Sequence, residues 1–350
     1  MKQLLAYCLS IILCVSFTGC MENYLDLYPE DKITSASFPE NESDIKLLLN
    51  GVYAQLREKE VYNQGLFGFG ITDGATPNAF NWGTDEVFNK LGAGRLSSSD
   101  GGVVTYRWKR CYEIISRANY LLACMDLVDL SEEAKAKYSG ETHFLRGLAY
   151  SVLAETYGGV PIILTNISTE EARSLKRASL EETWQQALDD YEVAITNLGV
   201  DAPEPGRATK GAALGMKMRA YLYQGKYKEV LSCVEQIDAL KKYGLFHSYE
   251  GLFDPANENN KEVLFDIQYI EGENSQGSYI DQYCGTGTGS WTRGSRYVPT
   301  DDLVAAYETI DGSPVDPENP YENRDPRLGF TAVLPGSYFL GYRFPNYLYP

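Results

Sequence analysis

The sequence predicts a mainly α protein: a tetratricopeptide-like scaffold of helical hairpins that carries an irregular, loop-rich lobe with short strands. Three observations predict it. Apolar residues recur at helical spacing through much of residues 41–242. Helix-start signatures and a turn glycine punctuate those stretches. Beyond Tyr243 the periodicity gives way to Gly, Ser, Pro and aromatics.

The elements follow in chain order. Met1 and Lys2 precede an apolar run from Leu4 to Phe17, then Thr18-Gly19-Cys20. That is the layout of a bacterial secretion signal over 1–19, and a cysteine after the small residue points to lipid attachment at Cys20. Phe17 stands where such signals usually carry leucine. The run is too short for a spanning helix, which needs ~20 apolar residues. Residues 20–40 read as an acidic tether. A helix starts near Asn41, with Ile45, Leu48, Leu49, Val52, Tyr53 and Leu56 at helical spacing. Residues 65–96 break into a long irregular loop, and loops of that length are often functional. Trp108, Cys111, Ile115, Ala118, Leu122 and Met125 mark the next helix. Another opens at Ser131-Glu132-Glu133 and stops at Gly158-Gly159-Val160-Pro161. Ser179 with Glu182 forms a capping box, followed by Trp184, Leu188, Tyr191, Ile195 and Leu198. Helices over 208–224 and 226–242, split by Gly225, fit one hairpin repeat of ~34 residues. Each has one apolar stripe and must stack on a neighbour. Glu262 to Tyr269 alternates like a strand. A second irregular stretch runs from Glu271 to Thr300, and a short helix is expected over 301–307.

Charge and cysteine usage remove several functions. The chain has 350 residues and a formal net charge of -17. Loss of the leader removes Lys2 and leaves the rest one unit more acidic. Such a surface repels phosphate backbones, so nucleic-acid binding is excluded as an expectation. Of seven cysteines, Cys8 and Cys14 leave with the signal. Cys111, Cys124 and Cys233 sit at apolar helical positions and read as buried free thiols rather than a disulfide framework. Cys284 lies in the second irregular stretch. No Cys-x-x-Cys pair exists, and two histidines offer little to a zinc site.

Catalytic signatures are scarce. There is no HExxH, no Walker A loop and no Gly-x-Ser-x-Gly elbow. Gly285 to Gly289 lacks the following helix start of a phosphate cradle. His143, expected at a helix start, and His247 have no nucleophile motif beside them. Asp301 and Asp302 read as a helix start rather than as glycosidase carboxylates. No catalytic residue, metal ion or cofactor is expected.

The two long loops hold the better constellation. The first carries Asp73, Asn78, Phe80, Asn81 and Trp82. The second carries Gln276, Tyr279, Tyr283, Trp291, Arg293, Arg296 and Tyr297. Aromatic platforms bury the C–H faces of a sugar, while Asn, Gln, Arg and Asp bond its hydroxyl rim. The same aromatics also suit pinning down long loops, and composition does not choose between the two.

Several segments carry a family resemblance. They are Cys20 to Asp26, Leu48-Leu-Asn-Gly-Val-Tyr53, Trp108 through Asn119, and Glu141-Thr-His-Phe-Leu-Arg146-Gly-Leu-Ala-Tyr150. Tyr157-Gly-Gly-Val-Pro161, Ala220-Tyr-Leu-Tyr223, Pro299 to Val304, Asp311-Gly312 and Arg324-Asp-Pro-Arg-Leu328 follow. In this order and spacing the chain resembles the SusD/RagB-type outer-membrane lipoproteins of Bacteroidetes. The resemblance implies a SusD-like helical scaffold over 41–242 with a ligand loop at 65–96, and an irregular ligand-binding lobe over 243–350. It implies a surface glycan-binding lipoprotein, anchored in the membrane by lipid, that delivers nutrient to a SusC-like TonB-dependent transporter without breaking a bond. Glu22 and Asp26 resemble a surface-export signal. A peptide- or protein-binding lipoprotein of the same system is the alternative, and a glycoside hydrolase the third reading. Family ligand loops match 73–82 and 279–297 by region rather than by strict motif. Arg324, Asp325 and Arg327 match a motif read as a structural, ion-paired turn.

Family chains continue with further C-terminal helices, so the lobe is expected to be incomplete at its C-terminus. An absent helix exposes its neighbour's apolar stripe, and marginal stability or aggregation of this chain alone is the expected outcome. A cooperative, high-temperature unfolding transition from a monodisperse monomer contradicts it.

Overall fold

The computed structural model describes residues 38–57, 73–81, 90–97, 99–269, 297–339 and 341–344. Its helices are α1 (Glu42–Tyr53), α2 (Val103–Cys124), α3 (Glu132–Tyr157), α4 (Thr169–Ser174), α5 (Leu180–Asn197), α6 (Lys210–Tyr223), α7 (Tyr227–Ala239), α8 (Asp301–Ala306) and α9 (Arg327–Thr331). The strands are β1 (Ala79–Asn81), β2 (Tyr297–Pro299), β3 (Tyr338–Phe339) and β4 (Tyr342–Arg343). The expected mainly α architecture with short strands is what the molecule has.

The helix starts obey local chemistry. Asn41, Ser131, Ser179 and Thr209 each accept a backbone N–H from the first turn of α1, α3, α5 and α6. Ser179 and Glu182 complete the reciprocal capping box. A second box, Ser168 with Glu171, opens α4. This helix buries no residue, so no apolar stripe announces it in the sequence. Gly225 turns the chain between α6 and α7 at φ 68°.

Packing centres on α3, whose stretch from Phe144 to Ala154 is buried on every side. Helix α5 lies along it, with α2 and α1 on other flanks; α6 joins α5 and α7 joins α6. The α3–α5 approach is close because residue 147 is glycine: a Cβ there would lie 2.9 Å from the Tyr191 ring. The following Tyr157-Gly158-Gly159 turn is equally constrained. Gly158 has φ 75°, and a Cβ on Gly159 would strike the Ala178 carbonyl at 2.0 Å. Arg177 secures the turn by donating to the Gly159 carbonyl at 2.6 Å.

One charged residue sits inside this apolar body. Arg146 of α3 is buried, and its guanidinium meets Asp190 of α5, with Nη2 donating to Oδ1 at 2.7 Å. Its Nε donates to both Asp190 oxygens at 3.2 and 3.1 Å, and its Nη1 donates to Asn119 Oδ1 of α2 at 2.8 Å. Asn119 in turn donates to the Ile163 and Thr165 carbonyls at 3.0 and 3.3 Å. Tyr150 both donates to the Ile163 carbonyl at 2.9 Å and accepts from its N–H at 2.8 Å. Three helices and the 158–165 connection thus share one polar knot.

Several expectations require correction. Residues 262–269 form no strand among the described residues. Their alternation instead serves packing: Phe265 stacks edge-on against Phe144 at 4.9 Å, and the Leu264 side chain reaches Gly215. His143 lies in the middle of α3, with Nδ1 2.8 Å from the Ser139 carbonyl. The 208–224 and 226–242 helices are shorter than read, ending at Tyr223 and Ala239. Cys111, Cys124 and Cys233 are buried and free as expected, while Cys284 lies outside the described residues.

A second knot joins α1 to α3. Tyr53 donates to the buried Glu141 carboxylate at 2.7 Å, and Arg207 donates to the same oxygen at 3.5 Å while lying over the Tyr53 ring at 4.9 Å. Burial holds the Glu141 pKa above its ordinary value, although Tyr53 and Arg207 both pull it down. The folded state therefore binds this proton more tightly than the unfolded chain does. The stability so gained is complete below the ordinary carboxylate pKa and is lost as pH rises through the raised one. In urea titrations, the stability of the unsubstituted protein relative to Glu141→Gln should fall as pH rises above the ordinary carboxylate range. A difference that is flat, or that grows with pH, contradicts this assignment.

Candidate functional site

The two loops singled out by composition meet in space. Strand β1, from the first loop, pairs antiparallel with β2, from the end of the second, in the register Ala79↔Pro299, Phe80↔Val298 and Asn81↔Tyr297. Strands of three residues are too short to hold themselves, and side-chain clamps extend the ladder. The Thr300 N–H donates to the Asn78 carbonyl at 3.1 Å, and the Thr300 hydroxyl donates to the Pro77 carbonyl. Thr300 also caps α8 by accepting from the Leu303 N–H at 3.2 Å. One residue therefore fixes the first loop to the start of the helix that follows the second.

The first loop has its own local order. The Asp73 carbonyl accepts from the Thr76 N–H and hydroxyl at 3.0 and 2.8 Å, and the Asn78 N–H donates to that hydroxyl at 3.2 Å. Farther along, Asp100 gathers residues 90–100: Lys90 Nζ lies 2.9 Å from it, and the Ser97 N–H donates at 2.7 Å. The Lys90 hydrogen bond, helped by Ser97, lowers the Asp100 carboxyl to about 2. Gly92 packs so close to the 73–75 turn that a Cβ on it would lie 3.3 Å from Ala75 Cα.

This frame presents a ring and two polar groups. The Phe80 side chain is 53% exposed beside its half-buried cross-strand neighbour Val298. Asp73 and Asn78 are exposed on the same turn-and-strand unit. An exposed apolar ring on a unit that also exposes a carboxylate and an amide can hold a polyol through its C–H face and hydroxyl rim. No group of three His, Cys, Asp or Glu suited to a metal ion occurs among the described residues. The backbone of Asn81 is described and pairs with Tyr297. Trp82, Tyr279, Tyr283, Trp291, Arg293 and Arg296 lie outside the described residues, as do Gln276 and Cys20.

Composition pointed to Phe80 and Asn78 but missed Val298 and Thr300. The sign for Thr300 was a threonine followed by two acids, a helix start at the edge of a loop. Thr300, not Asp301 or Asp302, is the cap of α8, and the two acids occupy its first turn. The Arg324-Asp-Pro-Arg segment is structural in detail. Arg324 donates to the Tyr307 and Pro320 carbonyls at 2.6 Å each and also to the Val304 carbonyl, closing the end of α8. Arg327 pairs with Asp325.

Crevices among the described residues lie elsewhere. One of about 550 Å³ runs between α6 and residues 264–269, lined by Met216, Met218, Leu264 and Ile267 among others. Another of about 250 Å³ lies beside Asn50, Arg207 and Gln268. None of the expected ligand residues lines either.

Comparison with known proteins gives a consistent result. Residues 23–222 match a family described as starch-binding and associating with the outer membrane, and residues 261–347 match the SusD family. SusD-like protein P25 of Formosa agariphila is 26% identical over 321 residues, covering 85% of this chain and 58% of that protein. A SusD-like carbohydrate-binding protein of Bacteroides fragilis superposes with a TM-score of 0.76 at 29% identity, over 86% of this chain and 61% of that one. A laminarin-binding SusD-like protein has a TM-score of 0.60 at 23% identity, over 65% of this chain and 51% of that one, a likeness of fold alone. The chain spans about three fifths of the length of the first two.

Proposed function

Because the chain belongs to the SusD family, we propose that it is a glycan-binding lipoprotein of the outer membrane that captures oligosaccharide and passes it to a SusC-like TonB-dependent transporter. The observation that carries this reading is the β1–β2 pairing, which gives Phe80 a fixed backbone on a unit that exposes its ring together with Asp73 and Asn78. An exposed ring together with an exposed carboxylate and amide offers the apolar face and the hydrogen-bonding groups that a sugar uses. The similar protein of Bacteroides fragilis is described as carbohydrate-binding, which agrees with that chemistry.

Capture on this surface needs no bond to break. In this reading the rings of Phe80, Trp82, Tyr279, Tyr283 and Trp291 cover sugar faces. Asp73, Asn78, Asn81, Arg293 and Arg296 bond the hydroxyls. The β1–β2 ladder keeps the two loops in register with one another while α8 carries the second loop's end. The lipid on Cys20 and the 20–40 tether hold the scaffold at the membrane. No described helix is long and apolar enough to cross a bilayer.

Isothermal titration of the chain against a panel of neutral α- and β-linked oligosaccharides tests the proposal. One member should bind, and Phe80→Ala, Trp82→Ala and Trp291→Ala should each weaken it about tenfold or more, ~1.4 kcal/mol. Absence of binding to every glycan by the folded, unsubstituted chain contradicts it.

A further inference from the structure

The candidate site stands on a ladder too short to hold itself, and one side chain finishes the end of that ladder. Asn78 and Phe80 are exposed while Ala79 between them is half-buried, the alternation that puts residues i and i+2 on one face of a strand. The β1–β2 ladder ends at Ala79↔Pro299. Immediately beyond it, the Thr300 N–H donates to the Asn78 carbonyl at 3.1 Å, and the Thr300 hydroxyl donates to the Pro77 carbonyl. Proline has no N–H, so that carbonyl is its one backbone hydrogen-bonding group.

Thr300 can do this because its own position is fixed from the other side. A hydroxyl has one proton and two lone pairs. Here the proton goes to Pro77 while a lone pair takes the Leu303 N–H at 3.2 Å, so one oxygen serves loop and helix at once. Helix α8 is only six residues long. Its far end is closed by the buried Arg324, which donates to the Val304 and Tyr307 carbonyls. Backbone bonds lace the chain after α8 to the segment around Arg324. The Ile310 N–H donates to the Asn323 carbonyl and the Asp325 N–H to the Glu308 carbonyl, both at 2.9 Å.

We infer that Thr300 is a positioning residue for glycan capture: its hydroxyl sets the orientation in which Asn78 and Phe80 meet the sugar. The inference rests on the glycan-binding reading above and adds a residue that acts through the backbone of the first loop. The Thr300–Pro77 bond is exposed, and water competes for both partners, so losing it costs the fold little. It acts instead on the fraction of molecules whose first loop lies in register with the second, and apparent affinity scales with that fraction. A ladder of three residue pairs has little other reserve, so the fraction responds.

Isothermal titration of the full chain with the panel oligosaccharide that it binds tightest decides this, alongside urea unfolding of each variant. Thr300→Val keeps the shape and removes the hydroxyl, and it should weaken the glycan about three- to tenfold. Thr300→Asp separates the two bonds of that hydroxyl. An ionised carboxylate still caps α8 but has no proton for Pro77, so this variant should stay folded and bind as weakly as Thr300→Val. Thr300→Ser keeps both bonds and should bind as the unsubstituted chain does. Full affinity in Thr300→Asp reduces the residue to a helix cap and overturns the inference. Unchanged affinity in Thr300→Val, or a loss that Thr300→Ser shares, overturns it too. If Thr300→Val does not fold, the aspartate and serine variants decide alone. In each of these failures Phe80→Ala still weakens the glycan, which leaves the binding reading standing. No glycan binding by the folded, unsubstituted chain overturns both.

Discussion

The buried guanidinium of Arg146 is the constraint on which the scaffold depends. A charge inside an apolar body is tolerable only where its hydrogen bonds are met and a counter-charge is close. Here α5 supplies the carboxylate, α2 supplies the amide, and the amide carries the bond onward to the 158–165 connection. The relative rotation and height of three helices are thereby set by one set of distances. Hydrophobic burial supplies most of the favourable free energy of such a bundle, but it is non-directional. The polar knot adds direction. Gly147 cooperates by letting α5 approach α3 closely enough for Asp190 to reach.

The consequence runs outward to the binding surface. Helix α1 is fixed to α3 through Tyr53 and Glu141. The first loop leaves beyond α1 and returns before α2, so its two ends spring from anchored helices. Across the molecule, Arg324 closes α8 by bonding carbonyls rather than a carboxylate. Thr300 then joins the start of α8 to the first loop. Residues 79–81 and 297–299, far apart in sequence, thereby share one short sheet, and a shared frame of that kind lowers the ordering cost of binding.

Much of the scaffold was legible because its signals are local. Asn41, Ser131 and Ser179 mark helix starts within four residues of the groups they cap. Gly158 and Gly225 mark the turns by conformation. Helix α4 was not legible, since it buries no side chain and shows no stripe. Residues 262–269 misled for the opposite reason. Alternating side chains report two-sided contact, and a segment wedged on α3 and α6 alternates as a strand does without forming a ladder. Arg146 stood out only through the family motif. Its partner Asp190 is 44 residues away on a helix whose other acids are solvated. Of the site, the residue types were readable and the meeting of the loops was not. Thr300 and Pro77 are 223 residues apart, and three-residue strands carry too little periodicity to announce a partner.

A double-mutant cycle on Arg146 and Asp190, followed by urea unfolding, tests the central claim most directly. If the pair fixes the scaffold, Arg146→Met and Asp190→Leu each leave an unpaired buried charge and cost ~3–5 kcal/mol. The double variant, with both charges gone, then costs no more than either single change, so the two effects are far from additive. Single losses below about 1 kcal/mol, or losses that simply add, contradict the account.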